Sequence, residues 1–194
     1  MEAQIPPRER LIIAAARLMR EKGYEAMSMR AVVAQAEAPW GSLQHYFPSG
    51  KRQLALEAVE FTDHQVRGVI RACMRAAGTP QKGLRSFFDF ALSTLEDGDF
   101  RLGCPIAAVA LDASAGDEQI ATACREAIRA WQELIAEGLR ARGVPGPRAR
   151  ELGAGTVAIY EGALIMSRLE RDLGPMRNAA DLIISGLDGE LSHD

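Results

Sequence analysis

Apolar residues recur along the chain at intervals of three and four, the spacing that lines one face of an α-helix. Five prolines precede such stretches, as expected of a residue whose missing N–H costs nothing at the first helical position. They are Pro7, Pro39, Pro80, Pro147 and Pro175. Few stretches alternate between apolar and polar residues in the way that half-buried strands do. The pattern therefore predicts an all-α fold of about nine helices.

Residues that start and stop helices divide the chain into segments. Gly23 is expected to end the first helix, Ser28 to cap the second and Pro48 to stop the third. Ser49 is expected to cap a long fourth helix that begins at Lys51. The predicted helices span residues 7–22, 28–36, 39–47, 51 to between 71 and 77, 80–96, 105–113, 117–142, 147–172 and 175–191.

This division predicts a small domain of three helices over residues 1–50 and a larger helical domain over residues 51–194. The 194 residues, 47% of them hydrophobic, suffice to bury a core. The first residues lack a basic stretch leading into an apolar one, which argues against a secretory signal. No apolar run approaches the roughly 18 residues needed to span a bilayer. We therefore expect a cytoplasmic protein without a membrane partner.

The formal net charge is −3, but the charges are unevenly distributed. Residues 1–60 carry 8 Lys and Arg against 7 Asp and Glu, whereas the remainder of the chain is net acidic. A broadly basic surface is therefore not expected. Any attraction to phosphate must come from a few placed side chains and from helix termini.

Candidate catalytic and metal-binding groups are sparse. Cys73, Cys104 and Cys124 are widely spaced in apolar surroundings, without zinc-site spacing, and are interpreted as buried thiols. The three histidines form neither a metal site nor a catalytic triad, and no glycine-rich phosphate loop is present. The sequence therefore predicts neither enzyme activity, nor a metal, nor a cofactor.

The second and third helices are joined by a tight turn at Glu37 and Ala38, which matches a helix-turn-helix. The stretch PWGSLQHYFPSGK, over residues 39–51, is more specific and resembles the tetracycline-repressor (TetR) family. With GCPIAAVAL at residues 103–111, the chain resembles the LmrA/YxaF-like branch of that family. The resemblance implies an all-α homodimer whose N-terminal helices bind an operator in double-stranded DNA. It also implies a larger domain that binds a small-molecule effector and dimerises through the last two helices.

The residues of the third helix can be sorted by the face on which they lie. Leu43 and Phe47 share one face and are expected to pack inward, which leaves Ser42, Gln44 and His45 to contact DNA. Gly41 permits close approach of the backbone to phosphate, and Lys51 lies in the first turn of the next helix, where an ammonium group suits an anion. The other residues predicted to contact DNA are Ser28, Arg30, Pro39, Trp40 and Tyr46.

Two of these positions depart from the family's usual residues. Position 40 is commonly basic and position 44 commonly a tyrosine that contacts phosphate, where this chain has Trp40 and Gln44. Both changes remove a phosphate contact and so weaken nonspecific attraction to DNA. Spacing leaves two roles open for Trp40, because it either contacts DNA or packs onto its own domain.

The larger domain carries the expected ligand and dimer contacts. An apolar, aromatic effector is predicted, because aromatic residues lie on helix faces that would line a cavity. Glu161 stands in an apolar segment, so it either finds a buried partner or lies on an exposed helix edge. The predicted pocket residues are Phe87, Phe88, Ala91, Cys104, Ile106, Cys124, Trp131, Tyr160 and Glu161. The predicted dimer contacts are Val157, Leu164, Leu182 and Leu187.

These features together predict a ligand-responsive transcriptional regulator, a repressor that a small apolar effector releases from its operator. A different class of function is kept as the alternative. It is a helical interaction module, or a protein that binds small molecules, without DNA binding.

Overall fold

The computed structural model describes residues 5–113 and 116–191, and in that part of the chain every regular element is an α-helix. The all-α prediction is confirmed, and the nine helices in the described residues lie close to the predicted bounds. They are α1 Pro7–Lys22, α2 Met29–Gln35, α3 Trp40–Tyr46, α4 Lys51–Ala76, α5 Pro80–Asp97, α6 Pro105–Ala113, α7 Glu118–Arg140, α8 Gly146–Glu170 and α9 Gly174–Leu191.

The ends of α1 and α2 form as the sequence predicts. Gly23 follows α1 with φ of +84°, a left-handed value that glycine adopts without steric cost. The Ser28 hydroxyl oxygen accepts the N–H of Ala31 at 3.2 Å, which caps α2. Met27 and Val32 are both buried, so their side chains can brace the start of α2 from either side.

The start of α4 differs from the prediction that Ser49 caps it. Gly50 directly precedes the helix, with φ of +77°, and its carbonyl accepts the N–H of Leu54 at 3.3 Å. Ser49 instead donates its backbone N–H to Oε1 of Gln53 at 3.1 Å. The expected cap was therefore placed one residue too early, because a glycine stands between the serine and the helix.

The contacts between residues divide the chain into two compact units. Unit 1 comprises Met1–His64 and Cys104–Ala127, and unit 2 comprises Gln65–Gly103 and Ile128–Asp194. Within unit 1, α6 packs against α1, so a segment distant in sequence joins the first three helices. The predicted division at residue 50 follows the order of the chain, whereas these units follow its contacts.

Unit 2 is built around the mutual packing of α5, α8 and α9. Leu84, Phe88 and Leu95 of α5 are fully buried, as the helical spacing of these residues predicts. Gly153 of α8 lies so close to α7 that a Cβ added there would be 2.4 Å from the carbonyl oxygen of Gln132. Two helices therefore approach each other to a distance that only a glycine permits.

Candidate nucleic-acid interface

The recognition helix α3 is held in unit 1 by its residue Leu43 and by Phe47, which directly follows the helix. Leu43 and Phe47 are buried, at 5% and 2% exposure, as the sequence predicts. The opposite side of α3 therefore faces outward as a polar surface. Gly41, Gln44 and His45 are exposed, and Ser42 and Tyr46 are half-buried. This side of α3 carries donors and acceptors of the kind that read base edges and phosphates.

Trp40 begins α3 and leaves 56% of its surface exposed. The sequence left open whether this residue contacts DNA or packs onto its own domain, and the domain leaves more than half of its surface uncovered. An exposed indole beside Gly41 and Gln44 offers both an apolar face and an N–H donor. Trp40 thus extends the exposed side of α3.

The turn between α2 and α3 is tight. Glu37 has φ of +49°, in the left-handed region that non-glycine residues seldom adopt, and its N–H reaches the carbonyl of Ala34 at 3.3 Å. Ala38 donates to the carbonyl of Val33 at 3.2 Å. Pro39 follows as the residue that precedes α3, and it is exposed. These contacts fix α3 relative to α2, as a helix-turn-helix requires.

Lys51 is engaged within the protein. Its Nζ donates to the carbonyl oxygen of Glu25 at 3.0 Å and lies 4.6 Å from the centre of the Tyr24 ring. Burial raises the pKa of Tyr24, and the nearby carboxylates of Asp117 and Glu25 raise it further, so the ring beneath the ammonium is a neutral phenol. Lys51 thus braces the segment between α1 and α2, and its predicted contact with an anion stays a prediction.

Other predicted contacts lie near the start of α2. Arg30 is exposed in the first turn, and Ser28 is exposed although its oxygen caps the helix. The Ser28 hydroxyl keeps its hydrogen available to donate to a phosphate. Arg52 in the first turn of α4 is less available, because it lies 3.9 Å from the carboxylate of Asp117.

Sequence reasoning missed a residue that holds α3 from α4. Nε2 of Gln53 donates to the carbonyl oxygen of Tyr46 at 3.3 Å and to Glu57 at 3.2 Å. It thereby satisfies a carbonyl at the end of α3, where intrahelical partners run out. Gln53 lies in the first turn of a long helix, where nothing in the sequence distinguishes it from other polar surface residues.

The predicted pocket residues divide between the two units. In unit 2, Phe87 and Phe88 of α5 lie 5.1 and 6.4 Å from the Tyr160 ring of α8, ring centre to ring centre. Ala91 and Trp131 are buried, and Glu161 is half-buried with Oε1 inaccessible to solvent. The remaining three, Cys104, Ile106 and Cys124, are buried in unit 1. Burial raises the pKa of Cys124 to about 11, so it stays a neutral thiol near pH 7.

The predicted dimer contacts are mostly internal. Val157, Leu164 and Leu187 are buried within the protomer, at 4%, 5% and 1% exposure, because the most apolar faces of α8 and α9 pack on each other and on α5. At these three positions the protomer offers little exposed surface to a partner. Leu182, by contrast, is 64% exposed.

An exposed groove of about 260 Å³ lies on unit 2, lined by Phe100, Ile165, Arg168 and Leu169. None of these is among the residues predicted for a ligand pocket. Arg168 donates to the carbonyl oxygens of Phe100 and Arg101, which fixes the loop after α5 against α8. The groove is thus a feature of the α8 surface.

Among residues 5–113 and 116–191, no group of His, Cys, Asp and Glu side chains is arranged to hold a metal ion. In the same part of the chain, no helix is long and apolar enough to cross a membrane.

Two family models match the chain, one to each part. Residues 11–58 match the bacterial regulatory proteins of the tetR family, and residues 80–182 match the C-terminal domain of LmrA/YxaF-like transcriptional regulators. The first match contains the helix-turn-helix, and the second contains the aromatic contacts between α5 and α8.

Similar proteins extend over nearly the whole chain. An uncharacterised HTH-type transcriptional regulator of Mycobacterium tuberculosis is 39% identical over 178 residues, which cover 88% of each chain. The HTH-type transcriptional regulator LmrA of Bacillus subtilis is 32% identical and covers 91% of this chain and 94% of its own.

The fold is also that of a solved structure, a TetR transcriptional regulator from Legionella pneumophila. It superposes with a TM-score of 0.86 at 18% identity, covering 96% of this chain and 99% of that one. With the helix-turn-helix geometry and both family matches, the chain belongs to the tetR family of bacterial regulatory proteins, in its LmrA/YxaF-like branch, and is a DNA-binding transcriptional regulator.

Proposed function

We propose that this regulator is a homodimeric repressor that binds its operator through α3 and is released by a small apolar, aromatic effector. The observation that carries the DNA-binding part is the position of α3, whose exposed polar side lies opposite the buried Leu43 and Phe47. A protein seated on an operator excludes other proteins from the same base pairs, which is the simplest route to repression. Binding to chromosomal DNA places the protein in the cytoplasm.

Within this interface the exposed residues fall into two chemical classes. The Gln44 amide can accept one hydrogen bond and donate another at the same time, and so can pair with adenine in the major groove. Ser42 and His45 lie beside Gln44 on α3. Arg30 carries a full charge and is suited to phosphate. We assign base reading to Gln44 and backbone contact to Arg30.

Replacing Gln44 with alanine is expected to weaken operator binding by about 1 to 3 kcal/mol and to relax the preference at one base pair in each half-site. The salt dependence of binding should stay unchanged, because no charge is lost. Arg30→Ala provides the matched comparison. It should weaken binding to every sequence. The slope of log K against log salt concentration should become shallower by about one for each protomer.

Fluorescence anisotropy with an operator duplex, its single-base variants and a range of salt concentrations measures both effects. The duplexes are taken from DNA upstream of the regulator's own gene. An equal loss on every sequence for Gln44→Ala would contradict the base-reading role. A wild-type protein that binds none of these duplexes above competitor DNA would favour the alternative of a helical module without DNA binding.

The dimer is supported by the outward side of α8. From Ala154 through Ala158 and Gly162 to Ile165 and Leu169, exposed positions recur at three- and four-residue intervals, and all are apolar or small. Small residues let helices approach closely, and the larger ones then supply apolar area. The neighbouring helix α9 exposes Leu182. We place the twofold contact on these sides of α8 and α9, as two helices from each chain.

The effector site is proposed at the aromatic contacts of unit 2. Phe87, Phe88 and Tyr160 present ring faces and edges to one another, at centre separations of 5.1 to 6.4 Å. A flat aromatic guest would replace part of these contacts between the rings, while the Tyr160 hydroxyl supplies a polar group at the same place. Nothing in this arrangement calls for catalysis, and we propose that the protein binds its effector without converting it.

Release by an effector can be followed with the protein's own fluorescence. The chain has two tryptophans, Trp40 in α3 and the buried Trp131 in unit 2, so Trp40→Phe leaves Trp131 as the reporter of emission, while operator affinity is measured with the wild-type protein. Titration with naphthalene and with naphthol is expected to change Trp131 emission. It should also reduce operator affinity about 5- to 150-fold, the usual range of coupling between two sites. Emission changes with unaltered operator affinity would contradict the release mechanism.

A further inference from the structure

The backbone at Glu25, between α1 and α2, is held from two sides. Its N–H donates to Oδ2 of Asp112 in the last turn of α6, at 3.3 Å. Its carbonyl oxygen accepts from Nζ of Lys51 at the start of α4, at 3.0 Å. All three residues belong to unit 1. One residue outside the regular helices is thus bound by side chains from two different helices.

Asp112 also approaches the chain at Gly23. A Cβ added there would lie 2.3 Å from Oδ2 of Asp112, so the carboxylate occupies the space that a side chain would need. A carboxylate in the last turn of a helix is disfavoured by the helix dipole. The N–H of Glu25 offers it a partner, and the glycine makes room for it.

The segment held in this way determines where α2 begins. Only two residues separate Glu25 from Ser28, the cap of α2, and the N–H of Met27 bonds to the carbonyl of Tyr24 at 3.2 Å. The tight turn after α2 then fixes α3. A shift at Glu25 is therefore passed to the recognition helix through short, hydrogen-bonded segments.

We propose that Asp112 is a positioning residue for operator binding, acting on α2 and α3 through the backbone of Glu25. The DNA-reading part of the protein then includes α6 as well as the first four helices. This inference rests on the proposed binding of an operator through α3.

Asp112→Ala in the full-length protein tests the proposal. We expect faster hydrogen exchange at the Glu25 amide, measured by NMR without DNA, and operator binding weakened about three- to tenfold, the range for one hydrogen bond. Removal of a negative charge from a DNA-binding unit would by itself strengthen binding, so a loss identifies positioning and not charge. Asp112→Asn should restore both values, because its amide oxygen accepts the same N–H.

Two further variants provide a double-mutant comparison and a control. Gly23→Ala displaces the Asp112 carboxylate and should weaken operator binding in the wild-type background more than in the Asp112→Ala background. Asp97→Ala removes a carboxylate from the end of α5 in unit 2 and should leave operator affinity unchanged. All affinities are measured at a temperature where circular dichroism shows each variant folded.

Unchanged exchange at Glu25 in Asp112→Ala, or unchanged or stronger operator binding, would overturn the proposal. If the wild-type protein binds no operator, the proposed function fails instead. The exchange measurement then still decides whether Asp112 holds this segment.

Discussion

Replacing Leu182 with glutamate is expected to convert the dimer into monomers and to lower operator affinity by about 100-fold or more. Leu182 is 64% exposed on α9, the helix that packs against α8, and we place the twofold contact on the exposed sides of these two helices. In an isologous interface one substitution introduces two carboxylates. Each would be buried against apolar surface without a partner, at a cost of several kcal/mol.

The loss of operator affinity follows from the loss of one of two linked contacts. A dimer that has bound one half-site holds its second recognition helix close to the other half-site, and a monomer does not. Linkage of this kind raises overall affinity by about 10²- to 10⁴-fold over the single contact.

Analytical ultracentrifugation gives the oligomeric state, and fluorescence anisotropy gives the affinity for the operator. Leu111→Glu is the matched control for the first measurement, because Leu111 is 74% exposed on α6, which is not one of the two helices on which we place the twofold contact. That variant should remain dimeric. A Leu182→Glu protein that is still a dimer at micromolar concentration would show that the twofold contact lies elsewhere.

The features that the sequence predicted correctly depend on interactions between residues that are close in sequence. Helix bounds, the Ser28 cap and the inward packing of Leu43 and Phe47 depend on neighbours within a few residues, so spacing and capping rules reach them. The exposed side of α3 follows directly from that packing.

The features that the sequence analysis missed depend on contacts between segments that are distant in sequence. Asp112 lies 87 residues from Glu25 in sequence, and no local pattern marks it. The predicted dimer contacts meet the same limit of sequence analysis. Val157 and Leu164 have the spacing of an interface, but the same spacing serves the protomer's own core, and only three-dimensional packing separates the two.

Replacing Gly153 with alanine is expected to lower the free energy of unfolding by about 2 kcal/mol or more, at the upper end of the usual overpacking range. The added Cβ would lie 2.4 Å from the backbone carbonyl oxygen of Gln132 and 3.3 Å from Cβ and N of Ala136. Backbone atoms cannot rotate away as a flexible side chain can, so α7 and α8 must separate. Their separation opens space among neighbouring buried residues, which adds to the loss.

Gly68→Ala is the matched control for this substitution. Gly68 is exposed within α4, and a Cβ there would meet nothing within 4 Å. Alanine at an unobstructed helical position raises the free energy of unfolding by about 0.5 to 1 kcal/mol, because it restricts the unfolded chain more than glycine does. The same substitution should therefore have opposite signs at the two glycines. Urea unfolding at one fixed protein concentration measures both, since the stability of a dimer depends on concentration. If Gly153→Ala were also stabilising, the close approach of α7 and α8 at this position would be wrong.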